Sequence, residues 1–180
     1  MTLQAEYERL CHTPSDIYEH LPTLADLVFA QDAQHVIELG SRSGVSTIAW
    51  LYALKETGGR LTSVDLDPAP AIGDYEHWTH IQGNDLDPQV IDRLDLADIV
   101  FIDTSHEYRQ TVRELHTYRW LVRPGGLIVC HDTELARPEF LPMSDPVFPV
   151  KKAVKEFCTE TGFQWANNPA CNGLGIIKVV

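Results

Sequence analysis

The sequence has no apolar run approaching the roughly 20 residues that span a bilayer. Its opening segment MTLQAEYERL lacks the basic-then-apolar pattern of a secretory leader. The chain is therefore expected to be soluble and cytoplasmic. Cysteine is sparse: Cys11, Cys130, Cys158 and Cys171 are scattered without a C-x-x-C pair. That pattern suggests neither a zinc framework nor a disulfide framework, and it suits a reducing compartment. Positive charge is scarce as well, with 14 Lys and Arg against 26 Asp and Glu, for a formal net charge of −12. Nucleic acid and anionic membrane are bound through clustered cations, so neither is expected as a general partner. A small molecule is the better expectation. Repeats and low-complexity segments are also missing.

What is present is a chain of 180 residues, 44% of them hydrophobic, which is enough for one full-sized core and leaves no room for a second. The expected organisation is a single domain over 1–180. Apolar runs bounded by turn signals alternate with helical patterns, the signature of an α/β fold with a parallel sheet. Strands are expected at 35–39, 60–65, 79–82, 97–102 and 126–131, and helices at 45–56, 88–94 and 106–121. Pro14 and Ser15 open an N-terminal helix over about 15–30. Its apolar residues Leu21, Leu24, Leu27, Val28 and Phe29 could face the core or a second copy in a homodimer.

Towards the C-terminus the segment RPEFLPMSDPVFP carries four prolines in thirteen residues. An irregular loop is expected over 136–149, with Phe140 and Phe148 available as a substrate wall or lid. A helix at about 149–161 follows. The runs FQWANN and LGIIKVV then read as an antiparallel strand pair at the sheet edge.

The stretch VIELGSRSGVST, Val36 to Thr47, runs from a strand through a Gly-rich turn into a helix. In the dinucleotide fingerprint three glycines at G-x-G-x-x-G let the backbone approach a pyrophosphate. Here Gly40 and Gly44 are present, the middle glycine is absent, and Glu38 precedes the first. A pyrophosphate is disfavoured. A zwitterionic amino-acid end fits better, with Glu38 near its ammonium and Ser46 and the helix-start N–H groups near its carboxylate. A turn that binds nothing remains the bland alternative for the two glycines. Glu38 is harder to dismiss, because a buried carboxylate needs partners.

The next strand, LTSVDLDP, ends at Asp65, where a ribose diol would meet the sheet. After the third strand, GNDLD places Asp85 to accept from an exocyclic adenine amine. Ribose, adenine and an amino-acid end together describe S-adenosylmethionine. Ser41, Arg42, Leu66, Gly83, Asn84, Asp103 and Thr104 complete the expected cofactor-binding set.

On these motifs, with SDIYEHLPTL, FIDTSHEY and GGLIVCHDT, the chain resembles a class I S-adenosylmethionine-dependent methyltransferase. It is similar to the compact group related to metal-assisted sugar and antibiotic O-methyltransferases, and the similarity runs from about Pro14 to Val180. The resemblance implies a Rossmann-like, doubly wound, mostly parallel sheet with an antiparallel C-terminal edge strand. It also implies methyl transfer to a hydroxyl of a saccharide or other polar small molecule, and an N-terminal helix packed over the cofactor, bringing Asp16, Glu19 and His20 towards the site.

Asp103 ends one strand, with His106 three residues on, and His131 and Asp132 end the next. Strand carboxyl ends line the ligand crevice of an open α/β sheet, so these four should converge. His106 is the expected general base, since imidazole titrates near working pH; Asp103 and His131 complete the expected catalytic set. The resemblance further implies a divalent metal, Mg²⁺ or Mn²⁺, on Asp103 and Asp132. Here His131 stands where relatives carry an oxygen ligand, and imidazole favours Mn²⁺, Fe²⁺ or Zn²⁺ over Mg²⁺. The bland readings are a helix cap for Asp103, a satisfied buried histidine for His131 and a surface histidine for His106. Two rival functions stay open: a nicotinamide-dependent oxidoreductase using the same crevice, and a binding protein without catalysis.

Overall fold

The computed structural model describes residues 2–73, 75–136 and 146–180. Five strands lie parallel: β1 (His35–Leu39), β2 (Arg60–Asp65), β3 (Trp78–Gln82), β4 (Ala97–Ile102) and β5 (Val122–His131). Two more, β6 (Gln164–Asn168) and β7 (Leu174–Lys178), complete a seven-stranded sheet in the order β3-β2-β1-β4-β5-β7-β6. The expected antiparallel pair at the C-terminal sheet edge is present. Within that pair the LGIIKVV strand, β7, lies between β5 and β6, antiparallel to both, and the more polar β6 is outermost.

Helices α1 (Leu3–Cys11), α2 (Leu21–Gln31), α3 (Val45–Thr57), α4 (Pro88–Ile91), α5 (Tyr108–Tyr118) and α6 (Pro149–Thr161) cover the two faces. Side chains alternate across a strand, and β1 shows the consequence. Val36 packs with Leu21, Leu24 and Ile48 of α2 and α3, whereas Ile37 and Leu39 pack with Leu115 and Tyr118 of α5 and with Val154 of α6. Every residue of β1 is buried, as a strand with helices on both faces requires. Leu21, Leu24 and Val28 of the N-terminal segment are core residues of this one chain, and Phe29 is exposed.

The departures from expectation have local causes. The helix expected over 15–30 is a 3₁₀ turn (Tyr18–His20) running into α2, with Pro22 in the first turn of α2. There its missing N–H is harmless. Helix α1 was not anticipated. Thr2 caps it by accepting from the Ala5 amide, and Leu3, Tyr7 and Leu10 turn towards α3. Helix α5 begins at Tyr108 rather than 106, because His106 is left-handed (φ 60°) and Glu107 is extended. Helix α4 is one turn long rather than extending to 94. Most of the loop expected over 136–149, Phe140 included, lies outside the described residues.

Strand order reverses between β1 and β4, which places a crevice at their carboxyl ends. Gly40 follows β1 and Asp103 follows β4, and at this point the two backbones nearly touch. A Cβ on Gly40 would lie 1.9 Å from the Asp103 carbonyl oxygen, and its φ of +85° is one that side chains rarely adopt. The glycine turn is thus required by the fold, whatever it binds.

Candidate active site

The crevice has a volume of about 440 Å³, within the range of small-molecule sites. One flank carries Asp65, Leu66 and the turn Gly83–Asp85, and the other carries Gly40, Arg42 and the segment Asp103–Glu107. Ten of the residues singled out from the sequence are thereby brought to one cavity: Gly40, Arg42, Asp65, Leu66, Gly83, Asn84, Asp85, Asp103, Thr104 and His106.

Glu38, Ser41, Gly44 and Ser46 do not line it. Glu38 is fully buried beneath the glycine turn and accepts hydrogen bonds from Ser46 Oγ (2.7 Å), Thr47 Oγ1 (2.8 Å) and Ser63 Oγ (2.6 Å). Those hydroxyls come from α3 and β2, so one carboxylate ties three elements together below the crevice floor. Burial pushes the Glu38 carboxyl up to about 7, although the three donors oppose the rise. Asp65 also braces the turn. Its Oδ2 accepts from the amides of Ser41 (2.7 Å) and Arg42 (2.9 Å), and its Oδ1 from the amide of Asp67 (3.0 Å). Burial would raise Asp65, but these N–H donors hold it below the ordinary carboxylate range.

Where Asp103 and His106 line the crevice, they converge with His131 and Asp132, which are buried behind them and do not line it. His106 Nε2 lies 2.7 Å from Asp132 Oδ2 and 3.3 Å from Asp103 Oδ1. His131 Nδ1 lies 3.3 Å from Asp132 Oδ2 and 3.4 Å from Asp103 Oδ1. The other nitrogen of His131, Nε2, donates to the carbonyl oxygens of Asp16 (3.1 Å) and Cys171 (3.0 Å). Its tautomer is therefore fixed: Nε2 bears the hydrogen, and Nδ1 turns its lone pair towards two acceptors. Only a proton or a metal cation between them makes that arrangement favourable.

In the metal-free protein the proton serves. Burial opposes charging either imidazole, yet hydrogen bonds to Asp103 and Asp132 push His106 up to about 9 and His131 up to about 10. In return the two carboxyls stay below their ordinary range, Asp132 markedly, even though burial works the other way.

The donor chemistry also fits a divalent cation. Ligand atoms from Asp103, His131 and Asp132 lie within 4.8 Å of one another, and the buried Asp132 Oδ1 has no partner among the described residues. The mixed nitrogen and oxygen set suits Mn²⁺, Fe²⁺ or Zn²⁺ better than Mg²⁺.

The N-terminal segment packs against this cluster, as expected for Asp16 and His20. Asp16 pairs with Arg42 at 2.8 Å, and the buried His20 ring meets the His131 ring edge-on with centroids 5.8 Å apart. Glu19 instead is exposed and accepts from the Tyr18 hydroxyl. Of the six non-glycine residues with positive φ among those described, Arg42, His106, Asp132 and Cys171 all belong to this neighbourhood. Such conformations cost free energy and concentrate at working sites. The sequence reading missed them, and it also missed Gln110 and Glu114 on α5. Glu114 could have been noticed as an acid on a helix face otherwise formed by Thr111, Leu115 and Tyr118.

An open, doubly wound sheet with its acidic crevice at the β1/β4 reversal is the architecture of a class I methyltransferase. The family described as Methyltransferase domain matches residues 37–133, more than half of the chain, and the protein belongs to that family. It is an enzyme of the methyltransferase class. No curated protein matches the sequence closely enough to add to this assignment.

Among solved structures, the chain is similar to the O-methyltransferase TomG of Streptomyces achromogenes, involved in tomaymycin synthesis and solved with S-adenosylmethionine. The TM-score is 0.72 at 17% identity, covering 100% of this chain and 90% of that one. It is also similar to MycE of the mycinamycin pathway, solved with Mg and S-adenosylhomocysteine, at a TM-score of 0.71 and 20% identity. That match covers 98% of this chain but only 53% of MycE. A Podospora anserina methyltransferase with bound S-adenosylhomocysteine gives a TM-score of 0.68 at 14% identity, covering 99% and 87% of the two chains. At these identities the likeness is one of fold.

Proposed function

We propose that this chain is an S-adenosylmethionine-dependent O-methyltransferase acting on a hydroxyl of a polar small molecule, a saccharide being one such acceptor, with help from a divalent cation. The observation that carries the reading is the joining of two chemically distinct parts in one crevice. Asp65 and Asp85 line the part suited to a nucleoside, and Asp103 and His106 line the part suited to an acceptor hydroxyl, with the buried His131 and Asp132 clustered behind them.

In this reading Asp65 takes the ribose diol and Asp85 the adenine amine. Leu66 packs on the base, and Gly83, Asn84 and Thr104 border it. Gly40, with Ser41, Arg42 and Gly44 of the same turn, sets the path of the backbone around the amino-acid end. Glu38 and Ser46 hold that turn from below. The methyl carbon leaves sulfur and bonds to the acceptor oxygen, giving S-adenosylhomocysteine and a methyl ether, and the hydroxyl proton passes to a base. His106 is that base once a cation, rather than a proton, neutralises Asp103 and Asp132. A cation held by Asp103, His131 and Asp132 would act as a Lewis acid on the acceptor hydroxyl. The residues supply alignment of oxygen, carbon and sulfur, the larger share of the rate in such transfers.

Calorimetric titration with S-adenosylhomocysteine, in chelator and then in Mg²⁺ or Mn²⁺, tests the reading. Micromolar binding is expected. A protein that binds the nucleoside in neither buffer would not be using this crevice for methyl transfer. Saccharide and non-saccharide acceptors, scored by S-adenosylhomocysteine release, then test the acceptor class.

A further inference from the structure

Behind the part of the crevice suited to a nucleoside, Glu114 of α5 is completely buried, and the proposed mechanism gives it no role. Its Oε1 accepts from Thr104 Oγ1 at 2.6 Å and from Gln110 Nε2 at 2.8 Å. Gln110 Nε2 also donates to Asp85 Oδ1 at 3.2 Å. Thr104, Gln110 and Asp85 all line the crevice, whereas Glu114 does not. Two oxygens in this group lack any donor, Glu114 Oε2 and Asp85 Oδ2, and both are buried. Two unpaired anionic oxygens, on carboxyls that share the Gln110 amide as a donor, are costly to bury. A single shared proton satisfies both.

We infer that Glu114 is a positioning residue for nucleobase recognition: as a neutral acid it donates to Asp85, holding the Asp85 carboxylate ionised and aimed at the 6-amino group of adenine. The inference rests on the cofactor reading above. In its chemistry, an ionised Asp85 accepts from an amine donor, which adenine offers and a 6-oxo purine does not. Glu114 selects that state by keeping the proton on the side away from the ligand. Burial, followed by the charge of Asp85, pushes the Glu114 carboxyl up to about 8, so the proton is present at neutral pH.

The other groups facing the pair leave that proton where it is. Burial pushes the Asp85 carboxyl up, while Glu114, the backbone amides of Asp85 and Leu86 and the charge of Arg113 on α5 oppose the rise and favour its carboxylate. The Tyr118 hydroxyl on α5 donates to the Asp85 carbonyl at 2.7 Å and is held neutral by burial. Cys130 of β5, with Cys158 of α6 behind it, also stays neutral by burial.

The test is calorimetric titration of wild type, Glu114→Gln and Glu114→Ala with S-adenosylhomocysteine and with its 6-oxo analogue S-inosylhomocysteine. It is run from about pH 6 to about pH 10, which brackets titration of a raised carboxyl. A glutamine amide can donate to Asp85 and its carbonyl can accept from Thr104 and Gln110, so Glu114→Gln should match wild type near neutral pH. Glu114→Ala should bind the adenine ligand about tenfold more weakly, in line with one lost hydrogen bond to a charged group, and should lose preference for adenine over the 6-oxo base. At alkaline pH wild type should weaken while Glu114→Gln holds.

Equal affinity, equal base preference and an unchanged pH profile in both variants would overturn the inference while leaving the cofactor reading intact. Wild type binding neither nucleoside would overturn the cofactor reading itself. The shared proton has its own readout in the ligand-free protein. Melting temperature should fall between neutral and alkaline pH more steeply in wild type than in Glu114→Gln, and identical slopes would remove the proton from the pair.

Discussion

His131 and Asp132 are neighbours in the chain whose side chains also meet in space, with Nδ1 3.3 Å from Oδ2. Adjacent residues of a regular strand point to opposite faces. Asp132 reaches the same point as His131 because it has left the strand conformation, with φ at 61°. Because His131 Nε2 is committed to two carbonyls, Nδ1 is free to bind a cation whenever its proton leaves.

A divalent metal should therefore raise the melting temperature, with Mn²⁺ more effective than Mg²⁺ because one ligand is nitrogen. His131→Ala should weaken Mn²⁺ binding on the order of tenfold or more while sparing Mg²⁺ relatively. Thermal denaturation with each metal, in wild type and variant, checks this. An equal response to both metals in both proteins would remove His131 from the ligand set.

Glu38 makes the ligand-free protein sensitive to pH in a calculable direction. Its carboxyl rises from 4.5 in a free chain to about 7 when folded. A raised acid contributes stability that is complete below the lower value and lost as pH climbs through the higher one. By linkage the loss amounts to about 3 kcal/mol across that window. His106 and His131, raised to about 9 and about 10, extend the decline to alkaline pH. Asp103 and Asp132, both lowered, act at the acid end, where stability falls as pH drops through their folded values. Urea denaturation in chelator should accordingly show stability falling from about pH 5 to about pH 8, with a shallower slope in Glu38→Gln. Parallel slopes would mean that Glu38 is ionised throughout.

The parts of the fold that follow from chain-local pattern were legible. All five parallel strands fall within a few residues of their expected positions, because each is an apolar run bounded by turn residues. The convergence of Asp103, His106, His131 and Asp132 followed from the rule that strand ends line the crevice. What local pattern does not carry is pairing. Glu38 and Ser46 look like ligand contacts in sequence, yet in three dimensions Ser46 is spent on Glu38. The αL geometry of His106 and Asp132 has no glycine to announce it. Glu114 acquires its meaning only when Asp85, from a loop 29 positions earlier, is folded against it.

Gly40→Ala should be among the most damaging single-methyl additions in the chain. The new Cβ would sit 1.9 Å from a backbone oxygen of Asp103, and no side-chain rotation relieves a clash with backbone. Adding the left-handed φ, the expected loss is several kcal/mol, and the separation of β1 and β4 would widen the crevice. Gly58→Ala is the internal control: it shares a positive φ, but nothing lies within 4 Å of its Cβ position. Chemical denaturation of both variants should show a clearly larger loss for Gly40→Ala, with weaker S-adenosylhomocysteine binding in that variant alone. Similar losses would mean that φ, not the approach of β4, is what the glycine serves.

His106 offers the sharpest test of the chemistry, because its state depends on what neutralises the cluster. With only protons available, Asp103 and Asp132 hold His106 charged up to about pH 9, and a charged imidazole cannot accept a proton. A cation on Asp103, His131 and Asp132 replaces those attractions with a repulsion and lowers the His106 pKa. The rising limb of turnover against pH should therefore move to lower pH when Mn²⁺ is added. His106→Ala should reduce turnover by about 10²–10⁴-fold, the usual span for losing a general base, and should erase that limb. Nucleoside affinity should change by less than about threefold, since the partners of His106 are Asp103 and Asp132 rather than Asp65 or Asp85. Steady-state rates over pH with and without metal, paired with calorimetry on the same samples, read both quantities. Turnover like that of wild type in His106→Ala would assign the proton to solvent or to the metal-bound acceptor alone.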